Sequence, residues 1–136
     1  MADTNKLFKV EIITPERIFY NGDAQMIEFT TTEGDIGVYK NHIPLTAVLA
    51  PGIVTITESD GVKKAAVHSG FVEILGEKVT LLAEIAEWPE EIDKNRAEEA
   101  KMRAERRLKM KEAELDVKRA EIALKKALVR IDISTK

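Results

Sequence analysis

Apolar and polar residues alternate from Leu7 to Ile13, with Phe8, Val10 and Ile12 on one side of the chain and Lys9 and Glu11 on the other. Period two marks a half-buried strand, because successive side chains of an extended backbone point to opposite faces. Pro15 ends this run, and similar short runs follow at Ile18–Tyr20, Ala24–Thr31, Ile36–Tyr39 and Leu45–Leu49. Between them lie Asn21-Gly22-Asp23, Glu33-Gly34-Asp35 and the stretch Asn41–Pro44, all rich in residues that accept turn geometry. Gly52–Thr57 and Val62–Val67 flank Ser59-Asp60-Gly61 and predict a hairpin, since Asp-Gly supplies the positive φ angles of a tight turn. Phe71–Leu75 and Val79–Ile85, joined through Gly76-Glu77, predict another pair. Short strands at this spacing predict an antiparallel sandwich or flattened barrel.

Beyond Pro89 the period changes. Ala97, Ala100, Ala104 and Leu108 recur at three and four residues, as do Val117, Ala120, Leu124, Leu128 and Ile131, so each set forms one stripe of a helix. All seven glycines and all four prolines lie at or before Pro89, which separates a turn-rich head from a helical tail. Pro89 with Glu90, Glu91 and Asp93 suits a helix start, and Asp116 is the candidate cap of a second helix. The reversal falls within Met110–Leu115. No glycine encodes it, so a single helix of about 70 Å, at ~1.5 Å per residue, competes with a hairpin. Alanine stripes bury little apolar area, and a hairpin held by them is marginal, as a switch requires. The expected fold is α+β: an antiparallel β-sandwich over 1–88 and a two-helix antiparallel hairpin over 89–136.

Composition narrows the chemistry. At 136 residues the chain fits one ordinary domain with an appendage. The absence of cysteine excludes a disulfide framework and a thiolate metal site, and suits a reducing, cytoplasm-facing setting. Neither a signal peptide nor an apolar stretch near 18 residues is present, so no direct membrane insertion is expected and membrane association would run through partners. Lys and Arg number 7 against 13 Asp and Glu through Pro89, and 14 against 11 after it, giving an acidic head and a basic arm. Such asymmetry favours contact between the arm and an acidic surface, in the head or in a partner. Acids interspersed along the arm argue against nucleic acid as a partner. Neither G-x-x-x-x-G-K-[ST] nor G-x-G-x-x-G occurs, and His42 and His68 sit apart with no nucleophile pattern, so no catalytic residues and no metal site are expected. Arg96 and Arg103, seven residues apart, share a helical face from which two guanidinium groups can grip phosphates. Asp93 and Arg96 alone would be an ordinary surface pair, and Trp88 a packing anchor for the arm.

The segment Glu33-Gly34-Asp35-Ile36-Gly37-Val38-Tyr39-Lys40-Asn41-His42-Ile43-Pro44-Leu45, with Pro51-Gly52, His68-Ser69-Gly70-Phe71 and Ile92-Asp93-Lys94-Asn95-Arg96-Ala97, resembles the epsilon subunits of bacterial F-type ATP synthases over nearly the whole chain. The resemblance implies a non-catalytic rotor subunit, peripheral on the cytoplasmic face of the cell membrane. Its sandwich would bind the gamma subunit and rest on the c-ring, with Glu33, Asp35 and His42 in the c-ring-facing segment. Its arm would fold onto the sandwich, or extend into the hexamer of alpha and beta subunits and block ATP hydrolysis. Lys118, Arg119, Lys125, Lys126 and Arg130 would then meet acidic beta-subunit loops. No cofactor is required, but ATP is implied as a regulatory ligand through the motif I-D-x-x-R-A. The matching positions are Glu87, Ile92, Asp93, Arg96, Ala97, Arg103, Lys126 and Arg130. Lys126 stands where nucleotide-binding members carry arginine, keeping the charge but losing the planar fork. The competing reading is a free-standing interaction module with a coiled-coil dimerisation tail; the stripes lack the sustained Leu or Ile heptads it needs.

Overall fold

The alternation of Leu7–Ile13 becomes strand β1 (Phe8–Ile13), in which Phe8, Val10 and Ile12 are buried and Lys9 is exposed. The structure, a computed structural model, describes residues 6–110 and 114–134. Seven further strands follow: β2 (Ile18–Ala24), β3 (Met26–Thr31), β4 (Gly34–Val38), β5 (Leu45–Leu49), β6 (Gly52–Glu58), β7 (Gly61–Leu75) and β8 (Lys78–Glu87). They pair in the order β2-β1-β8-β7-β5-β3-β4, and β6 bridges β3 and β7. One continuous hydrogen-bonded sheet thus wraps into a β-sandwich. Phe29, Ile12, Ile27, Ile56, Ile74 and Leu81 lie wholly inside it. One pairing departs from the antiparallel pattern: β1 runs parallel to β8, Val10 opposite Val79. Parallel neighbours need a long crossover, and the intervening strands supply it.

One turn signal lies inside a strand, and two expected strands prove to be one. Asn21-Gly22-Asp23 continues β2 along the sheet edge, Gly22 facing Val10, because the bare glycine leaves room for the Tyr20 ring. The runs Val62–Val67 and Phe71–Leu75 are halves of the single strand β7, whose first half pairs with β6 and whose second half pairs with β5. Between them Ser69 and Gly70 take φ of 59° and 133°. The strand bends there without ending and passes from one layer to the other. A side chain at Gly70 would collide with the carbonyl oxygen of Leu82 on β8.

The arm begins differently from the expectation at Pro89. Pro89–Glu91 forms a 3-10 turn, Ile92 is extended, and the first helix, α1, spans Lys94–Met110. Asp93 caps it: its Oδ1 accepts the Arg96 N–H at 3.2 Å and its carbonyl accepts the Ala97 N–H at 3.1 Å. The second helix, α2, spans Glu114–Ser134, so Asp116 lies within its first turn and is not the cap. The expected reversal falls largely on 111–113, outside the described residues. The helices pack on each other as a hairpin, and α2 also rests on β6 and β7. Ala97, Ala104, Ala120, Ala127 and Ile133 are buried in these seams, whereas Leu128, expected in the stripe, is 44% exposed. The reason is that α2 is covered on two sides, by α1 and by the sheet, and Leu128 falls on the remaining side. Trp88 ties the junction to the head by stacking on Phe19 with ring centroids 4.3 Å apart.

Candidate functional site

Docking α2 on the sheet changes what lies beneath it. Ala65, Ala66, Val67 and His68 are all buried although they alternate faces. Ala65 and Val67 belong to the sandwich core, while Ala66 and His68, paired with Glu87 and Ile85 of β8, face outward under the arm. Beside them, β8, the 3-10 turn, α1 and α2 enclose a cleft of about 280 Å³. Glu87, Ile92, Asp93, Arg96, Ala97, Arg103 and Arg130 line it, together with Glu91 and Ala100. These seven expected residues come from four segments and meet only because the hairpin folds back. Lys126 is not in the lining; it sits half-buried on α2, close enough to His68 to influence its charge.

The acidic groups of the cleft are already engaged. Glu87 Oε1 accepts the Arg130 Nε–H at 2.7 Å and lies 3.4 Å from His68 Nε2. The imidazole and the guanidinium together hold the Glu87 carboxyl below its usual range. Glu91 accepts from Arg17 Nη2 at 2.8 and 2.9 Å and from the Trp88 N–H at 2.8 Å, and its carboxyl too is held low, chiefly by Arg17. Asp93 caps α1. Arg96 and Arg103 have no ion-pair partner among the described residues. The cleft therefore offers two uncommitted guanidinium groups on one helix face, an arrangement suited to an anion.

The other expected sites are more dispersed. Glu33 and Asp35 are exposed at the β3–β4 turn, where Asp35 Oδ1 accepts from Thr30 Oγ1 at 2.8 Å. His42 is on the loop between β4 and β5, with Nδ1 2.7 Å from the Ile43 carbonyl, and Asn41 in the same loop bonds Gly76. These are opposite ends of β4, about 16 Å apart at ~3.3 Å per residue, so the three do not converge. Of the basic set on α2, Lys118, Arg119 and Lys125 are exposed, whereas Lys126 and Arg130 are partly buried towards the sheet. A further surface escaped the sequence reading. Val48, Phe71 and Leu82 stand directly opposite one another on β5, β7 and β8 and are 46%, 56% and 51% exposed. Ile13 of β1 and Ile18 of β2 extend the row. Cross-strand register decides such a row, and it is not written in local alternation. His68 was missed as well, although three consecutive small or apolar residues, Ala65 to Val67 leading into it, signal a strand covered on both faces. Among the described residues no group of three or more His, Asp or Glu could hold a metal, and no helix is long and apolar enough to cross a membrane.

Residues 7–89 match the family model of the beta-sandwich domain of the ATP synthase delta/epsilon chain, and residues 90–135 match that of its long alpha-helix domain. The ATP synthase epsilon chain of Caldanaerobacter subterraneus subsp. tengcongensis is 46% identical over 97 residues, covering 71% of this chain and 70% of the relative. That of Brevibacillus brevis is 52% identical over 92 residues, covering 67% of this chain and 70% of the relative. Among solved structures, a chain of the Euglena gracilis mitochondrial ATP synthase, in an assembly that includes the c-ring, superposes with a TM-score of 0.83. The match covers 99% of this chain and 85% of that one at 20% identity, a likeness of fold.

Proposed function

The chain belongs to the family of ATP synthase delta/epsilon chains as an epsilon chain, a non-catalytic subunit, and from that premise we propose that it is a central-stalk rotor component with an ATP-sensing inhibitory arm. The sandwich, residues 1–88, clasps the gamma subunit, and the exposed apolar row Val48–Phe71–Leu82 is the surface suited to it, since contiguous exposed apolar patches mark protein-interaction sites. Glu33, Asp35 and His42 present two separate polar contacts to the c-ring. The arm, residues 89–136, lies on the sandwich in one state and lifts into the alpha and beta subunits in the other, where its exposed Lys118, Arg119 and Lys125 meet acidic loops and stop hydrolysis. Lys126 and Arg130 join them only on lifting, because docking turns them towards the sheet.

ATP favours the docked state. The observation that carries this reading is the pair Arg96 and Arg103, uncommitted and facing a cleft that exists only while β8, α1 and α2 are together. A ligand that binds one state and not the other shifts the population towards it by its differential affinity alone. Polyphosphate would lie against Arg96 and Arg103, with Arg130 contributing from α2. Asp93 keeps one carboxylate oxygen for the nucleoside, because only Oδ1 is engaged in the cap. Calorimetric titration of the full chain with ATP tests this: one saturable site is expected, abolished in Arg96→Ala. Absence of heat, or equal binding by the variant, overturns it.

A further inference from the structure

His68 is wholly buried at the contact between α2 and the sheet, and among the described residues neither ring nitrogen makes a well-formed hydrogen bond, Glu87 Oε1 being 3.4 Å from Nε2. A buried polar group without a partner costs free energy that apolar packing would spare, so an imidazole here needs a reason. We propose that His68 is a positioning residue for the docked arm, and that a proton taken up on its imidazole releases α2 from the sheet. The inference rests on the mobile-arm reading above and adds its control by pH.

The charges around the ring determine the direction. On β8 the Glu87 carboxylate faces it at 3.4 Å, and from α2 Arg130 and Lys126 approach the same place. The neighbouring positions on the sheet, Ala66 on β7 and its β6 partner Ile53, carry no charge. The 3-10 turn brings Glu91 near Glu87, but Arg17 already engages it, and Arg96 and Arg103 of α1 line the cleft on the other side of Glu87. With a neutral ring, the Glu87 carboxylate pairs with Arg130 while the Lys126 charge stands near the ring. A protonated ring adds a third cation beneath the helix. Lifting α2 removes two of the three, leaves His68 and Glu87 as a matched pair, and returns the ring to water.

Burial first, then the nearby Arg130 and Lys126, push the imidazole below its ordinary value of about 6.5, against the opposing pull of Glu87. The docked state therefore binds fewer protons than the lifted state. Its advantage is complete above about pH 6.5 and is lost as the pH falls from there towards the docked value. Nucleotide phosphates in the cleft add negative charge near the cluster, so ATP should hold the arm down to lower pH.

The test is amide exchange of α2 in the full chain between pH 7.5 and 5.5, corrected for intrinsic exchange rates, in the natural sequence and in His68→Gln. One linked proton predicts a loss of docking of up to about tenfold across this range in the natural chain and a flat profile in the variant. A parallel loss in both overturns the proposal. A flat profile in the natural chain also overturns it, and Arg130→Ala then separates two failures: protection lost in that variant leaves the mobile arm standing, while protection unchanged removes the mobile arm too. Should His68→Gln not fold, NMR titration of the His68 ring in the natural chain decides: a midpoint below 6.5 supports the proposal, and one at or above 6.5 overturns it.

Discussion

Glu87 joins the arm to the head, because its Oε1 serves Arg130 directly and faces His68. Replacing it by glutamine removes the charge that balances a half-buried guanidinium. The expected result for Glu87→Gln is a loss of about 1–3 kcal/mol in α2 docking, read by amide exchange. Unchanged protection would mean that Arg130 finds another partner. Glu87 also sets a second acid limit. Its carboxyl is held low in the docked state, so its contribution is present above the ordinary glutamate value of about 4.3 and disappears as the pH falls through the lower docked one. His68 acts first, nearer neutrality. At this scale the sequence was partly legible. The spacing of Arg96 and Arg103 placed two guanidinium groups on one face, and they do share the cleft lining. Nothing local could announce that Glu91 would be held by Arg17, 74 residues away, or that His68 would lie beneath a helix.

Elements were legible where a period persisted and illegible where glycine served something other than a turn. Strands β1 and β6 follow their alternation closely, whereas Gly22 and Gly70 sit within strands. Gly22 makes room for the Tyr20 ring, and Gly70 allows β7 to bend against β8. Gly70→Ala should cost at least about 3 kcal/mol and lower the thermal midpoint by more than roughly 10 °C, since it combines a positive φ with a backbone collision. Ser69→Gly at the neighbouring bend should instead be neutral or stabilise by up to about 1 kcal/mol, because an L side chain is strained at φ near 60°. A similar cost for both would locate the bend's tolerance elsewhere. The helices were legible as stripes, but their termini were not. Asp93 captured α1 and left Pro89–Glu91 as a separate 3-10 turn, since the extended Ile92 interrupts any helix running from Pro89.

At the scale of the molecule, a large apolar core holds the head, while the arm rests on it through alanines and one charged cluster. Every buried member of the sandwich core comes from the eight strands, so removing the arm leaves that core intact and uncovers the outer face of β6 and β7, with Ala66 and His68. Such unequal stability would let the arm move while the head stays in place, as the proposed function requires. The charge asymmetry between head and arm was visible in the sequence, but the direction each cation faces depended on the docking of α2. The decisive comparison is ATP hydrolysis by the assembled synthase carrying either the full chain or a chain ending at Pro89. If the arm is the inhibitory element, hydrolysis rises without it while ATP synthesis is largely preserved. Equal hydrolysis with both chains contradicts an inhibitory arm.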